Sequence, residues 1–119
     1  MAYQQTARQT ANPRDLEASL LARSAAHLQR IRDDWESGES ELNAALTYNR
    51  KLWTVLMQAV TREENPLPQP IKQNIANLGL FVMKQTLAAT TRPEPGKLDA
   101  LITINREIAA GLRAMPQAA

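Results

Sequence analysis

Apolar residues recur every three or four positions along most of this chain, which is the period of an amphipathic α-helix. No segment alternates cleanly between apolar and polar positions, as a half-buried strand does. Proline and glycine divide the pattern into four segments. The sequence therefore predicts an all-α fold with four main helices.

Each predicted helix is bounded by residues that open or end helices, chiefly proline and glycine. The helices are expected from Asn12-Pro13 to Ser37-Gly38, from about Glu39 to Arg62, from Pro68 or Pro70 to the loop at 91–96, and from Leu98 to Leu112. Their buried stripes include Leu16, Leu20, Leu21, Ser24, Leu28, Ile31 and Trp35, then Leu42, Leu46, Asn49, Leu52, Trp53, Leu56 and Val60, then Ile71, Ile75, Leu78, Val82 and Thr86, and finally Leu98, Leu101, Ile102, Asn105, Ile108 and Leu112.

Short connections make consecutive helices antiparallel neighbours, so the expected architecture is an up-down, bundle-like arrangement. The third helix is the most apolar, because Leu80, Phe81, Met83 and Leu87 widen its apolar arc, and it is expected at the centre. A polar, flexible N-terminal arm is predicted over residues 1–11, the helical domain over 12–113 and a frayed tail over 114–119.

Composition narrows the class of protein. The 119 residues suffice for one domain, and the absence of cysteine excludes disulfides, thiolate ligands and a cysteine nucleophile. No apolar core of a secretory signal opens the chain, and the longest strongly apolar run, 78–83, is too short to span a bilayer. We therefore expect a cytoplasmic protein that does not insert into membranes.

The charged residues give little support to a nucleic-acid site. Fourteen basic and twelve acidic residues leave a net charge of +2, and the longest basic run is Arg50-Lys51. One acidic cluster surrounds Ser37-Gly38, and it lacks the spacing of a calcium loop. Its members, expected to form a solvated turn, are Asp33, Asp34, Glu36, Glu39 and Glu41.

Candidate chemistry is scarce. The single histidine, His27, has no carboxylate four residues away on its helix, so it is expected at the surface or boundary of the first helix. The four glycines are too dispersed for a phosphate loop, and Gly79 within the third helix marks a close helix-helix approach. We expect no enzymatic activity, no cofactor and no metal site.

An asparagine followed by arginine lies on the apolar stripe of the second helix and again on that of the fourth. These are Asn49-Arg50 and Asn105-Arg106. A buried amide without hydrogen bonds costs about 1–3 kcal/mol, so each asparagine needs a partner. Either Asn49 pairs with Asn105 in an internal network, or the two amides share in recognition of a bound partner while the arginines flank the seam.

These segments resemble the FlaF family of flagellar biosynthesis regulators from alphaproteobacteria. The resemblance is ordered along most of the chain. Its blocks are Pro13-Arg14-Asp15-Leu16-Glu17, then Asn49-Arg50-Lys51-Leu52-Trp53, then Leu67-Pro68 and Lys84-Gln85-Thr86, and finally the run 98–106 with Gly111-Leu112. Asp15 stands where the family often has glutamate, Lys51 where it has arginine and Phe81 where tryptophan is common.

The resemblance implies a cytoplasmic role in flagellum assembly, controlling the production and export of flagellin together with the regulator FlbT. Our leading interpretation is a chaperone or adaptor that binds the terminal helices of flagellin. The expected partner-binding residues, at or beneath the contact surface, are Asn49, Arg50, Trp53, Phe81, Asn105 and Arg106.

Direct binding of flagellin mRNA is the alternative function, with FlbT as a possible intermediary in place of direct contact. Arg23, Arg30, Arg50 and Lys51 offer phosphate contacts. Aromatic residues make up only 4% of the chain, so stacking platforms for bases are scarce. Direct RNA binding is therefore the less favoured hypothesis. A scaffold that binds FlbT alone is the third hypothesis.

Overall fold

Four long helices build the computed structural model, which describes residues 13–115. They are α1 Pro13–Asp33, α2 Leu42–Val60, α3 Gln69–Thr91 and α4 Asp99–Ala114. A short helix, Trp35–Gly38, and two 3-10 turns, Glu39–Glu41 and Pro95–Leu98, complete the secondary structure, and residues 13–115 contain no strand. The all-α prediction is confirmed. The predicted arm, the N-cap at Asn12 and the last four residues of the tail lie outside the described residues.

Helix α4 returns alongside α1 and runs antiparallel to it. Arg32, near the end of α1, binds Asp99 at the start of α4. At the opposite end, Arg113 donates a hydrogen bond to Ser19 over 3.4 Å. With short turns joining the other pairs, the four helices follow the predicted up-down order.

The centre of the bundle is α1, whereas the sequence pattern placed α3 there. Helix α1 packs most extensively on α4 and also on α2, while α3 packs mainly on α2 and touches α4 lightly. Ala18 and Ala25 are fully buried on α1, and their small side chains allow a neighbouring helix to come close. The apolar arc of α3 is wide because part of it faces solvent.

The first helix ends earlier than predicted. The helical conformation is interrupted at Asp34, which has φ −129° and ψ 68°. The short helix Trp35–Gly38 folds back from this point. Gly38 keeps a helical φ of −88°, so it is not a left-handed cap. A Cβ built at Gly38 would lie 2.9 Å from the Cα of Ile31, so the glycine permits a close backbone approach.

Helix α3 is held by apolar packing along its middle and by polar contacts elsewhere. Gly79 is buried against Met57 of α2, and a Cβ there would overlap the methionine side chain, which confirms the predicted close approach. Further along, the Gln85 side chain donates to the backbone oxygen of Lys97 over 2.8 Å. These contacts fix one face of α3 and leave the opposite face uncovered.

Candidate partner-binding site

The two asparagines of the apolar stripes meet inside the bundle. Asn105 Nδ2 on α4 donates to Asn49 Oδ1 on α2 over 2.7 Å. Ser24 Oγ on α1 donates to the same oxygen over 2.8 Å. Both asparagine side chains are 0% exposed. The predicted pairing of Asn49 with Asn105 is therefore confirmed, and a serine from a third helix joins it.

Trp53 completes this polar network. Its indole Nε1 donates to Asn105 Oδ1 over 2.8 Å, and Asn105 Nδ2 also donates to the backbone oxygen of Leu21 over 3.3 Å. An indole N–H can only donate, so Asn105 must turn its oxygen towards Trp53 and its amide nitrogen towards Asn49. Asn49 must then present its own oxygen. One ring therefore sets the orientation of both amides.

One donor of the network has no acceptor. Asn49 Nδ2 is buried and makes no hydrogen bond within the described part of the chain. A buried donor left in this state costs about 1–3 kcal/mol. The arrangement that gives hydrogen bonds to the side chains of Trp53, Ser24 and Asn105 thus leaves the side-chain nitrogen of Asn49 without one.

Large exposed apolar side chains lie on the opposite side of α3 from its buried face. We call this side the α3 outer face and define it by Leu80, Phe81, Lys84 and Leu87. Leu80 is 61% exposed, Leu87 is 68% exposed and Phe81 is 43% exposed. Leu80 and Leu87 are two turns apart on the same side of the helix, and Lys84 lies between them. The pattern is that of a helix face able to receive another helix.

The charged side chains of α2 and α3 have one sign. Neither α2 nor α3 contains an aspartate or a glutamate, and together they carry Arg50, Lys51, Lys72 and Lys84. Three of these side chains are exposed, and the half-buried Lys72 donates to a backbone oxygen near the end of α2. These two helices therefore carry apolar and basic side chains without an acidic one.

A second exposed apolar edge lies on α1 and α2, with Leu16 and Val55 exposed. Leu16 was predicted to be buried, and the structure corrects this. The neighbouring carboxyl of Glu17 is half-buried, and burial raises its pKa above the ordinary value, while the positive charge of Arg14 opposes this rise. This edge consequently carries acidic as well as apolar groups.

A shallow groove between α1 and α2 gathers several polar side chains. Arg23, His27 and Arg30 line it from α1, and Tyr48 lines it from α2. His27 Nε2 lies 3.0 Å from Glu41 Oε1. His27 is partly buried, as expected for the surface or boundary of the first helix, but the sequence pattern did not predict this carboxylate, which comes from the acidic turn. The five acidic residues of that turn are all exposed, as predicted.

A family model described as flagellar protein FlaF matches residues 1–112 of the 119. The chain belongs to the FlaF family. The matched range includes both Asn-Arg motifs and the whole α3 outer face. Comparison with curated proteins and with solved structures gave no match. The molecule is thus a flagellar protein.

The six candidate residues of this FlaF-family chain fall into two groups. Asn49, Trp53 and Asn105 are fully buried in the polar network, so none of them presents a surface to a partner in this conformation. Phe81 belongs to the α3 outer face. The two arginines, Arg50 and Arg106, are exposed on α2 and α4. The structure does not bring all six together.

Sequence reasoning missed the exposed leucines of this FlaF-family protein. It counted Leu80 and Leu87 as widening the apolar arc of a helix expected at the centre, and a signal was available in the two-turn spacing between them. Over residues 13–115 no group of three or more acidic or histidine side chains is placed to hold a metal ion. In the same range no helix combines the length and apolarity needed to cross a bilayer.

Proposed function

We propose that this FlaF-family protein is a cytoplasmic chaperone or adaptor that binds flagellin and couples flagellin synthesis to export. It acts by binding and catalyses no reaction. The observation that carries the proposal is the α3 outer face, an uncovered apolar helix surface on a flagellar protein.

The terminal segments of flagellin are amphipathic helices that polymerise in the filament core, so before export their apolar faces need a cover. A helical protein provides one when a partner helix lays its apolar face along an exposed apolar groove or helix face. Contiguous exposed apolar surface on a folded domain is typical of such interaction sites.

The core of the bundle does not need this surface. Ser24, Asn49, Trp53 and Asn105 are hydrogen-bonded to one another within α1, α2 and α4. Helix α3 contributes no side chain to that network, and its buried Thr86 hydroxyl donates to the backbone oxygen of Val82. The outer face of α3 is therefore available for a partner without rearrangement of the polar interior.

The proposal predicts a stoichiometric complex of the purified protein with flagellin, measured by calorimetry and size-exclusion chromatography. Deleting the terminal helices of flagellin is expected to abolish the complex, because those helices supply the apolar faces to be covered. Full-length flagellin that fails to bind at concentrations on the order of tens of micromolar contradicts the proposal, since interfaces of this kind exceed that affinity.

Regulation through flagellin mRNA, directly or through FlbT, is the second candidate. The groove with Arg23, Arg30 and Tyr48 favours it, because basic side chains beside an aromatic ring suit single-stranded RNA. If the protein contacts the mRNA leader directly, the logarithm of its affinity falls with the logarithm of salt concentration, by about 0.7 per phosphate contacted. Replacing both arginines with alanine is then expected to flatten this slope. A leader that binds no better than a scrambled RNA excludes direct recognition.

A further inference from the structure

We infer that the α3 outer face, with Arg50 of α2 beside it, binds an amphipathic helix whose apolar stripe is flanked by acidic side chains. The inference deepens the proposed function, because it specifies where a helical partner lies and what charge that partner carries. Its evidence is the apolar spacing on α3 and the sign of the charges around it.

Three exposed apolar side chains supply the contact surface for the partner helix. Leu80 and Leu87 are more than half exposed and are separated by two helical turns. Phe81 extends the surface on the other side of Lys84. A partner helix packed along α3 would cover these side chains with apolar residues spaced by three and four positions.

Basic side chains of α2 and α3 supply the charge near this surface. Gly79 packs against Met57, and α2 and α3 run antiparallel. Arg50 precedes Met57 by two turns, so it lies at the level of α3 that includes Leu87. Arg50, two turns from Met57 on the same side of α2, and Lys84, one turn before Leu87 on α3, are both exposed, while neither helix supplies a carboxylate to neutralise them. An occupant that carries aspartate or glutamate beside its apolar stripe complements this arrangement.

Two other occupants fit the charges less well. A second copy of the chain in a two-fold dimer would bring the same basic face against itself, because isologous contacts pair a surface with its own copy. A basic amphipathic helix would place its cations beside Arg50 and Lys84. An acid-flanked helix avoids both repulsions.

The test uses two synthetic amphipathic peptides of about 18 residues, which is five helical turns. Both carry the same leucine stripe, and the flanking positions are glutamate in one peptide and lysine in the other. The full-length protein is expected to bind the glutamate peptide at least about tenfold more tightly, with an affinity that falls as salt is raised. Equal binding of the two peptides, or no binding of either, overturns the inference.

The location is tested with a pair of matched double variants. Leu80→Ser with Leu87→Ser removes two exposed leucines from the α3 outer face. This double variant is expected to bind the glutamate peptide at least about tenfold more weakly. Leu16→Ser with Val55→Ser removes two exposed apolar side chains from the α1–α2 edge and is expected to leave binding unchanged. Circular dichroism and urea unfolding confirm that both variants are folded. Equal effects of the two pairs overturn the location.

Flagellin separates this inference from the proposed function. If flagellin binds and the α3 double variant binds it equally well, the proposed surface is wrong while the chaperone function stands. If the glutamate peptide binds at α3 and flagellin does not bind at all, the surface is correct and the flagellin proposal is wrong. If the α3 double variant loses binding of both flagellin and the glutamate peptide, the result supports both the surface and the flagellin-binding function.

Discussion

Replacing Asn105 with alanine is expected to lower the free energy of unfolding by about 2–4 kcal/mol. The change removes the acceptor of the buried Trp53 indole N–H, which has no other hydrogen bond to residues 13–115, and leaves a cavity beside it. It also removes one of the two donors to Asn49 Oδ1, although Ser24 continues to donate to that oxygen. Urea unfolding, with the slope compared between variants, measures the loss.

Asn43 provides a matched control, because it is an exposed asparagine on α2. Asn43→Ala is expected to change stability by less than about 0.5 kcal/mol. Combining Trp53→Phe with Asn105→Ala supplies a stricter test. Trp53→Phe should lower the free energy of unfolding clearly less in the Asn105→Ala background, because the acceptor of the indole N–H is already gone. Strictly additive losses would mean that the indole and the amide do not interact in solution.

Valine in place of Gly38 is expected to destabilise the fold by about 1–3 kcal/mol through overpacking. A Cβ at this position meets the backbone of Ile31, at 2.9 Å from Cα and 3.3 Å from the carbonyl oxygen. Backbone atoms move less readily than the end of a flexible side chain, so the short helix Trp35–Gly38 has to shift away from α1. Thermal and urea unfolding both report the loss.

Gly111→Val is the matched control for this change. Gly111 is exposed on α4, and a Cβ there meets no heavy atom within 4 Å. Valine has a slightly higher helix propensity than glycine, so stability should stay within about 0.5 kcal/mol or rise. If Gly38→Val proves as neutral as Gly111→Val, the close approach to Ile31 is not important for stability.

The hydrophobic pattern was sufficient to predict the four helices and their up-down order. It also placed Asn49 and Asn105 on buried stripes, where the cost of an unpaired amide pointed to their pairing. The structure adds Ser24 and Trp53 to that pair. Neither could be assigned from the pattern alone, because periodicity identifies the buried face of a helix but not the atoms that face it across the core.

The centre of the bundle could not be predicted from apolar content. Helix α3 is rich in apolar residues because it has both a buried face and an exposed apolar one, and a sequence pattern does not distinguish the two. The small residues that make α1 central, Ala18 and Ala25, carry little weight on a hydrophobicity scale. Packing depends on how closely backbones approach as well as on apolar area.

The break at Asp34 and the contact between His27 and Glu41 were missed for a related reason. The contact bridges 14 residues and depends on how the short helix Trp35–Gly38 turns back on α1. The sequence pattern treated Gly38 as a helix terminator, which is its commoner role. In this fold its importance lies in tertiary packing, and local rules do not describe that.

The polar network also limits how the helices can slide along one another. Leucine and isoleucine recur at similar intervals on α1 and α4, so an apolar core alone would tolerate a displacement of one turn, about 5.4 Å. Such a displacement would carry Asn105 away from Trp53 and Asn49 and leave several buried polar groups unpaired at once. A single amide on α4 therefore excludes misaligned arrangements of α1, α2 and α4, and it fixes one register for these three helices.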